Sequence, residues 1–94
     1  MEFDESEKVL SALAQETRLR VLSLLAQSDN LSLPAGDISL ALGVPQNTLS
    51  FHLQHMEAAG LLSRQRKGRY IIYGLKARKL EELILFMAEN LRPK

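Results

Sequence analysis

Residues 45–60 read PQNTLSFHLQHMEAAG, and the reading of this stretch decides the fold. Wound as an α-helix, it puts Leu49, Leu53, Met56 and Gly60 on one side, at spacings of four, three and four. That side must be buried. The opposite side carries Asn47, Ser50, Phe51, Gln54, His55 and Ala58, with no Lys, Arg, Asp or Glu. A helix face that exists only to be wet usually carries charge. This one offers amides, a hydroxyl, an imidazole and a bare aromatic ring. Asn and Gln can grip adenine through two hydrogen bonds, Ser and Thr can bond either base partner, and a Phe ring can touch a thymine methyl. The bland reading is a polar face with an accidental Phe, and the flanking sequence has to decide.

Upstream, Gly36–Leu42 reads as a short helix that Asp37 caps or charges, and Gly43-Val44-Pro45 follows it. Glycine can take a positive φ and stop one helix, and proline suits the start of the next. Two short helices joined by a tight glycine turn, the second polar outside, form a helix-turn-helix over residues 36–59. Downstream, LLSRQRKGRYIIYGL predicts two strands around a Lys67-Gly68 turn, a hairpin over residues 62–75. Its tip carries Arg66, Lys67 and Arg69, with Arg64 two residues before. A basic hairpin after a helix-turn-helix is a wing. With the helix in the major groove, it lies beside the backbone, where Arg and Lys neutralise phosphates.

The net charge of +1 conceals this division. Residues 1–57 hold eight acidic and three basic residues, whereas 58–80 hold seven basic and none acidic. Clustered charge attracts a polyanion even when the total is near zero.

Farther out, Phe3–Ala14 predicts a first helix with Phe3, Ser6, Val9, Leu10 and Leu13 in one stripe and Asp4 or Ser6 as cap. Glu16–Gln27 predicts a second helix, apolar on more than one face and therefore central, and Ser28–Pro34 a loop. Lys76–Arg92 predicts the last helix, with Leu80, Leu83, Ile84, Met87, Ala88 and Leu91 in a stripe. That stripe exceeds what one small core needs. The excess points to a dimer seam made with the first helix, so that residues 1–14 and 76–92 join two copies through Phe3, Val9, Leu10, Leu13, Leu80, Leu83, Ile84, Met87 and Leu91; the plainer alternative is a helix packed only on its own domain. Lys76, Arg78 and Lys79 stand at the unfavourable end of the helix dipole; pairing with Glu81 and Glu82, or adding to a positive field near DNA, would each explain them.

Ninety-four residues make one domain, small enough that oligomerisation would help it. No apolar run has the length of a membrane span, and the acidic start MEFDESEK lacks the features of a secretory signal, so a cytoplasmic location is expected and no membrane partner. With no cysteine there is no disulfide or thiolate metal site. His52 and His55 are three apart, but one flanks the apolar side and the other the outer side, with no third ligand at good spacing. No metal and no cofactor are expected. No nucleophile–base pair, phosphate-cradling glycine loop or paired carboxylates suggest an enzyme.

Taken together, ALAQETRLRVLSLL (12–25), AGDISLALGVPQNTLSFHLQHMEAAGLL (35–62) and RKGRYIIYGL (66–75) resemble the ArsR/SmtB winged-helix repressors, in the family's order and over most of the chain. The resemblance implies a homodimeric transcriptional repressor, with Gln46–Ala59 as recognition helix, Arg66–Arg69 as wing tip, and the first and last helices as dimer contacts. The wording is most similar to the arsenic-responsive subgroup. The family's thiolate and histidine sensing positions are not filled: 31–37 has no cysteine, the last helix has no histidine, and Glu89-Asn90 is followed by Leu91-Arg92.

The expectation is therefore a mainly α fold with one β-hairpin, a dimeric winged helix-turn-helix that binds an inverted-repeat operator in double-stranded DNA. Gln46, Asn47, Thr48, Ser50, Phe51, Gln54 and His55 would meet bases and nearby phosphates, and Arg64, Arg66, Lys67 and Arg69 the backbone. The rival is a winged-helix dimer that binds protein or RNA without specific duplex binding.

Overall fold

The computed structural model describes the whole chain, Met1–Lys94. It runs α1 (Phe3–Leu13), α2 (Glu16–Ala26), a 3-10 turn (Asp29–Leu31), β1 (Ser32–Pro34), α3 (Ala35–Leu42), α4 (Gln46–Ala58), β2 (Leu62–Lys67), β3 (Tyr70–Leu75) and α5 (Ala77–Asn90). This is a winged helix-turn-helix, five helices and a small antiparallel sheet, as the residue pattern predicts.

The helix-turn-helix forms for local reasons. Gly43 sits at φ 67° in the left-handed region and caps α3, its N–H reaching Ser39 O at 2.9 Å. Val44 N–H bonds the same carbonyl at 3.2 Å. Pro45 is the residue just outside α4, and its carbonyl accepts from Leu49 N–H at 2.9 Å. Leu49, Leu53 and Met56 of α4 are all buried, which is the inner stripe read from 45–60. They meet Val9 of α1, Val21 and Leu25 of α2, Ile38 of α3, Leu62 and Tyr73 of the sheet and Leu83 of α5 in one core.

Three local details differ from the sequence reading. First, Ser28–Pro34 is more than a loop: β1 pairs with β3, giving the sheet order β1-β3-β2 with Ser32 opposite Gly74 and Pro34 opposite Ile72. Proline at the end of an edge strand forfeits no ladder bond. Second, the hairpin turn lies one residue later. Lys67 pairs with Tyr70, so Gly68-Arg69 are the turn residues, with Gly68 at φ 61° in first place, as a type II′ turn requires. Third, neither Asp4 nor Ser6 caps α1. Glu2 holds the cap position without a side-chain bond, and Ser6 lies inside the helix, donating to Phe3 O at 2.7 Å. Of the two roles open to Asp37 the structure shows the second: it lies in the first turn of α3 and charges it, without capping.

Candidate nucleic-acid interface

α4 turns Gln46, Asn47, Thr48, Phe51, Gln54 and His55 to solvent, with Ser50 half-covered. Phe51 is 65% exposed and stands edge-on to the His52 and His55 rings, at centroid distances of 5.8 and 6.5 Å. A ring that exposed can offer an apolar contact. Gln54 Nε2 donates to Ser50 Oγ at 3.1 Å one turn back, which holds the amide across the face. Asn47 Oδ1 accepts from Thr48 N–H at 2.9 Å at the helix start, leaving its amide N–H₂ free.

Beside this helix stands the wing. Arg64, Arg66, Lys67 and Arg69 are all exposed, and none joins the chain's ion pairs, which are Arg20–Glu16 and Lys79 with Glu5 and Glu82. Arg66 Nε donates to Gly68 O at 3.1 Å and steadies the tip; the Arg69 guanidinium lies 5.6 Å from the centre of the Tyr70 ring. Uncompensated cations beside an uncharged polar helix suit a polyanion whose bases are read by the helix. Between α4 and the wing runs a cleft of about 210 Å³, with Gln46, Ser50, Gln54 and Arg64 on its rim and Tyr73 in its wall.

A family model described as a helix-turn-helix domain matches residues 13–65. The transcriptional repressor SdpR of Bacillus subtilis is 33% identical over 79 residues, 84% of this chain and 84% of that protein. The repressor SmtB of Mycobacterium tuberculosis is 33% identical over 82 residues, 87% of this chain but 58% of SmtB. The solution structure of a homodimeric winged helix-turn-helix DNA-binding domain from Mycobacterium bovis, described as a possible ArsR-family regulator, aligns over 95% of this chain and 83% of that one, with a TM-score of 0.73 and 30% identity. This chain belongs to the ArsR/SmtB family.

ArsR/SmtB proteins are transcription regulators and not enzymes. No helix of this member is long and apolar enough to cross a membrane. Behind α4 lies a pair that the sequence did not reveal. Arg18 of α2 is 8% exposed, and its Nε donates to His52 Nδ1 at 3.1 Å while Nη1 reaches Ala12 O at 3.4 Å. His52 is thereby an acceptor that anchors α4 to α2. Burial first, then the charges of Arg18 and His55, hold its pKa below the ordinary imidazole value. The apolar pattern of Glu16–Ala26 gave no hint that Arg18 would face inward.

On the far flank, α1 and α5 share an open apolar groove of about 650 Å³ lined by Phe3, Leu10, Phe86 and Leu91. Phe3 stands edge-on to Phe86, ring centroids 4.9 Å apart. Ile84 and Leu85 are exposed as well, and Leu80 and Met87 are half-buried. Val9, Leu13 and Leu83 require correction as seam residues: they lie inside the protomer's own core. One helical stripe is wide enough to serve both surfaces, and its inner edge went to the core. Lys79 reaches across to Glu5 of α1, with Glu82 at 4.0 Å, and so ties the two helices together. The hydrogen bond lowers the Glu5 pKa and raises that of Lys79.

Proposed function

We propose that this transcription regulator is a sequence-specific repressor that binds an inverted-repeat DNA operator as a homodimer. The observation that carries the reading is the adjacency of an exposed helix face without charge and a wing with four cations free of carboxylates. Gln46, Asn47, Ser50, Phe51, Gln54 and His55 would read base edges, with Thr48 toward a phosphate. Arg64, Arg66, Lys67 and Arg69 would hold the backbone. A second copy would cover Phe3, Leu10, Ile84, Leu85 and Leu91. The homodimeric Mycobacterium bovis structure, which shares the fold, supports that arrangement. A two-fold dimer sets its half-sites about one helical turn, roughly 34–36 Å, or a multiple apart. Repression follows from occupying the promoter. With no cysteine in the chain, thiolate sensing of a metal is not open to it.

Selection of duplexes from a random library, followed by footprinting, tests the reading. The expected outcome is a palindromic consensus protected symmetrically on both strands. Recovery of unrelated duplexes without a consensus would refute it.

A further inference from the structure

We propose that the cleft between α4 and the wing seats one phosphate of the DNA backbone, held by the Arg64 guanidinium and the Tyr73 hydroxyl. The proposal rests on the DNA-binding reading above and names a contact that reading does not contain. A helix in the major groove and a wing at the neighbouring minor groove are separated, on the DNA, by one backbone strand. That strand has to pass between α4 and the β2–β3 hairpin, where the protein has its cleft.

The cleft is built for an anion. Tyr73 is only 4% exposed, yet its hydroxyl makes no hydrogen bond within the chain. Buried tyrosines ordinarily find a partner for this group. No buried side-chain polar atom of the chain is both sealed from solvent and unpartnered, so the hydroxyl is not sealed, and Tyr73 is one of the residues that line the cleft. Arg64 is directly opposite Tyr73 in the β2–β3 ladder, so the two side chains project from the same face of the sheet. Arg64 has no carboxylate partner, and no acidic residue lines the cleft. The cleft thus brings together a guanidinium, a phenol and the Gln46 amide, donors with no anionic acceptor among the lining residues. Ser50 accepts from Gln54 and keeps its own hydroxyl proton to give. Phosphate oxygens supply the missing anionic acceptor, and charge-assisted bonds of this kind are the strong ones. The apolar floor of Leu49, Leu53 and Ile71 holds the seat rigid against the core. A phosphate fixed there sets how deeply and in what register α4 enters the groove, since backbone contacts position and base contacts specify.

The test titrates the whole protein against its selected duplex and against copies carrying one neutral methylphosphonate at each backbone position in turn. One position per half-site is expected to lower wild-type affinity by about tenfold, the effect of a hydrogen bond to a charged group. Tyr73→Phe keeps the ring. It should bind the unmodified duplex about tenfold more weakly, with salt dependence and base preference unchanged, and should lose less than the wild type to the sensitive methylphosphonate, since only the Arg64 contact is left to lose. Arg64→Ala should lower the slope of log affinity against log salt by about 0.9. Wild-type affinity in Tyr73→Phe would overturn the proposal, as would a loss that no single methylphosphonate reproduces. Release of the wild type by inorganic phosphate at fixed ionic strength, with every methylphosphonate position silent, would assign the cleft to a free anion and also overturn it. Failure of the wild type to bind any duplex is a separate result, which removes the operator-binding reading itself and this seat with it.

Discussion

The outward face of α4 and the shared outward face of α1 and α5 both expose uncharged side chains, but of opposite kinds. On α4 the uncharged residues are amides, a hydroxyl, an imidazole and one ring, with free cations close by on the wing. On α1 and α5 they are Phe3, Leu10, Ile84, Leu85 and Leu91, and the groove that Phe3, Leu10 and Leu91 line is mostly apolar, with Asp4 and Glu7 at its side. The first surface can satisfy a polar, anionic partner bond by bond. The second can be satisfied only by losing water, at about 25 cal/mol per Å² of apolar area covered. The kind of uncharged residue that a face exposes therefore says which kind of contact it can make.

The largest effects should separate the seam from the core beneath it. Leu83→Ala empties a fully buried site and should cost about 2–5 kcal/mol of stability at any protein concentration. Ile84→Asp, one residue along and 53% exposed, should leave the protomer folded and shift the mass toward 10.6 kDa on dilution. Denaturation curves at two protein concentrations, with light scattering, distinguish them. Equal behaviour of the two variants would erase the boundary between core and seam.

Next come the two parts of the DNA surface. The triple variant Arg66→Ala, Lys67→Ala, Arg69→Ala should weaken binding to all duplexes alike and reduce the salt slope by roughly 2–3. Asn47→Ala or Gln54→Ala should instead cost about 1–3 kcal/mol at one base pair and relax specificity there, with the slope intact. Anisotropy titrations on operator variants read both quantities. A uniform loss in the helix variants would demote α4 from reader to clamp.

The smallest effect concerns the Arg18–His52 bond that seats α4. The His52 pKa is lowered in the folded chain, so folding favours the neutral ring. That contribution is full above the unfolded value of about 6.5 and is lost as pH falls through the lower folded value, because the protonated ring can no longer accept from Arg18 and meets its charge. Acid unfolding curves should show wild type losing this part of its stability on acidification and His52→Gln losing less. Parallel curves would remove His52 from the linkage.

What was legible in the sequence was what local spacing controls. Leu49, Leu53 and Met56 announced the inner side of α4, and Gly43-Val44-Pro45 announced the turn before it. What stayed hidden depends on partners distant along the chain. β1 is three residues ending in Pro34, too short for an alternating signal, and is a strand only because β3 lies beside it. The chain reaches it through Asn30 and Leu31, both at φ 56°, and a positive φ at leucine has no compositional signature. Arg18 looks like any helix cation until His52, 34 residues later, is placed against it. Tyr73 reads as a strand aromatic until its register opposite Arg64 is known. Val9, Leu13 and Leu83 share their period with their exposed neighbours, and only packing assigns them to the core.

The most direct test is a titration of the purified chain against selected and random duplexes at several salt concentrations, with the mass of free protein and complex recorded by light scattering. A selective, salt-sensitive complex holding two 10.6 kDa chains per operator is the expected result. A dimer indifferent to duplex sequence and to salt would contradict the reader-and-clamp assignment of α4 and the wing, and would move the exposed α4 face to a protein or RNA partner.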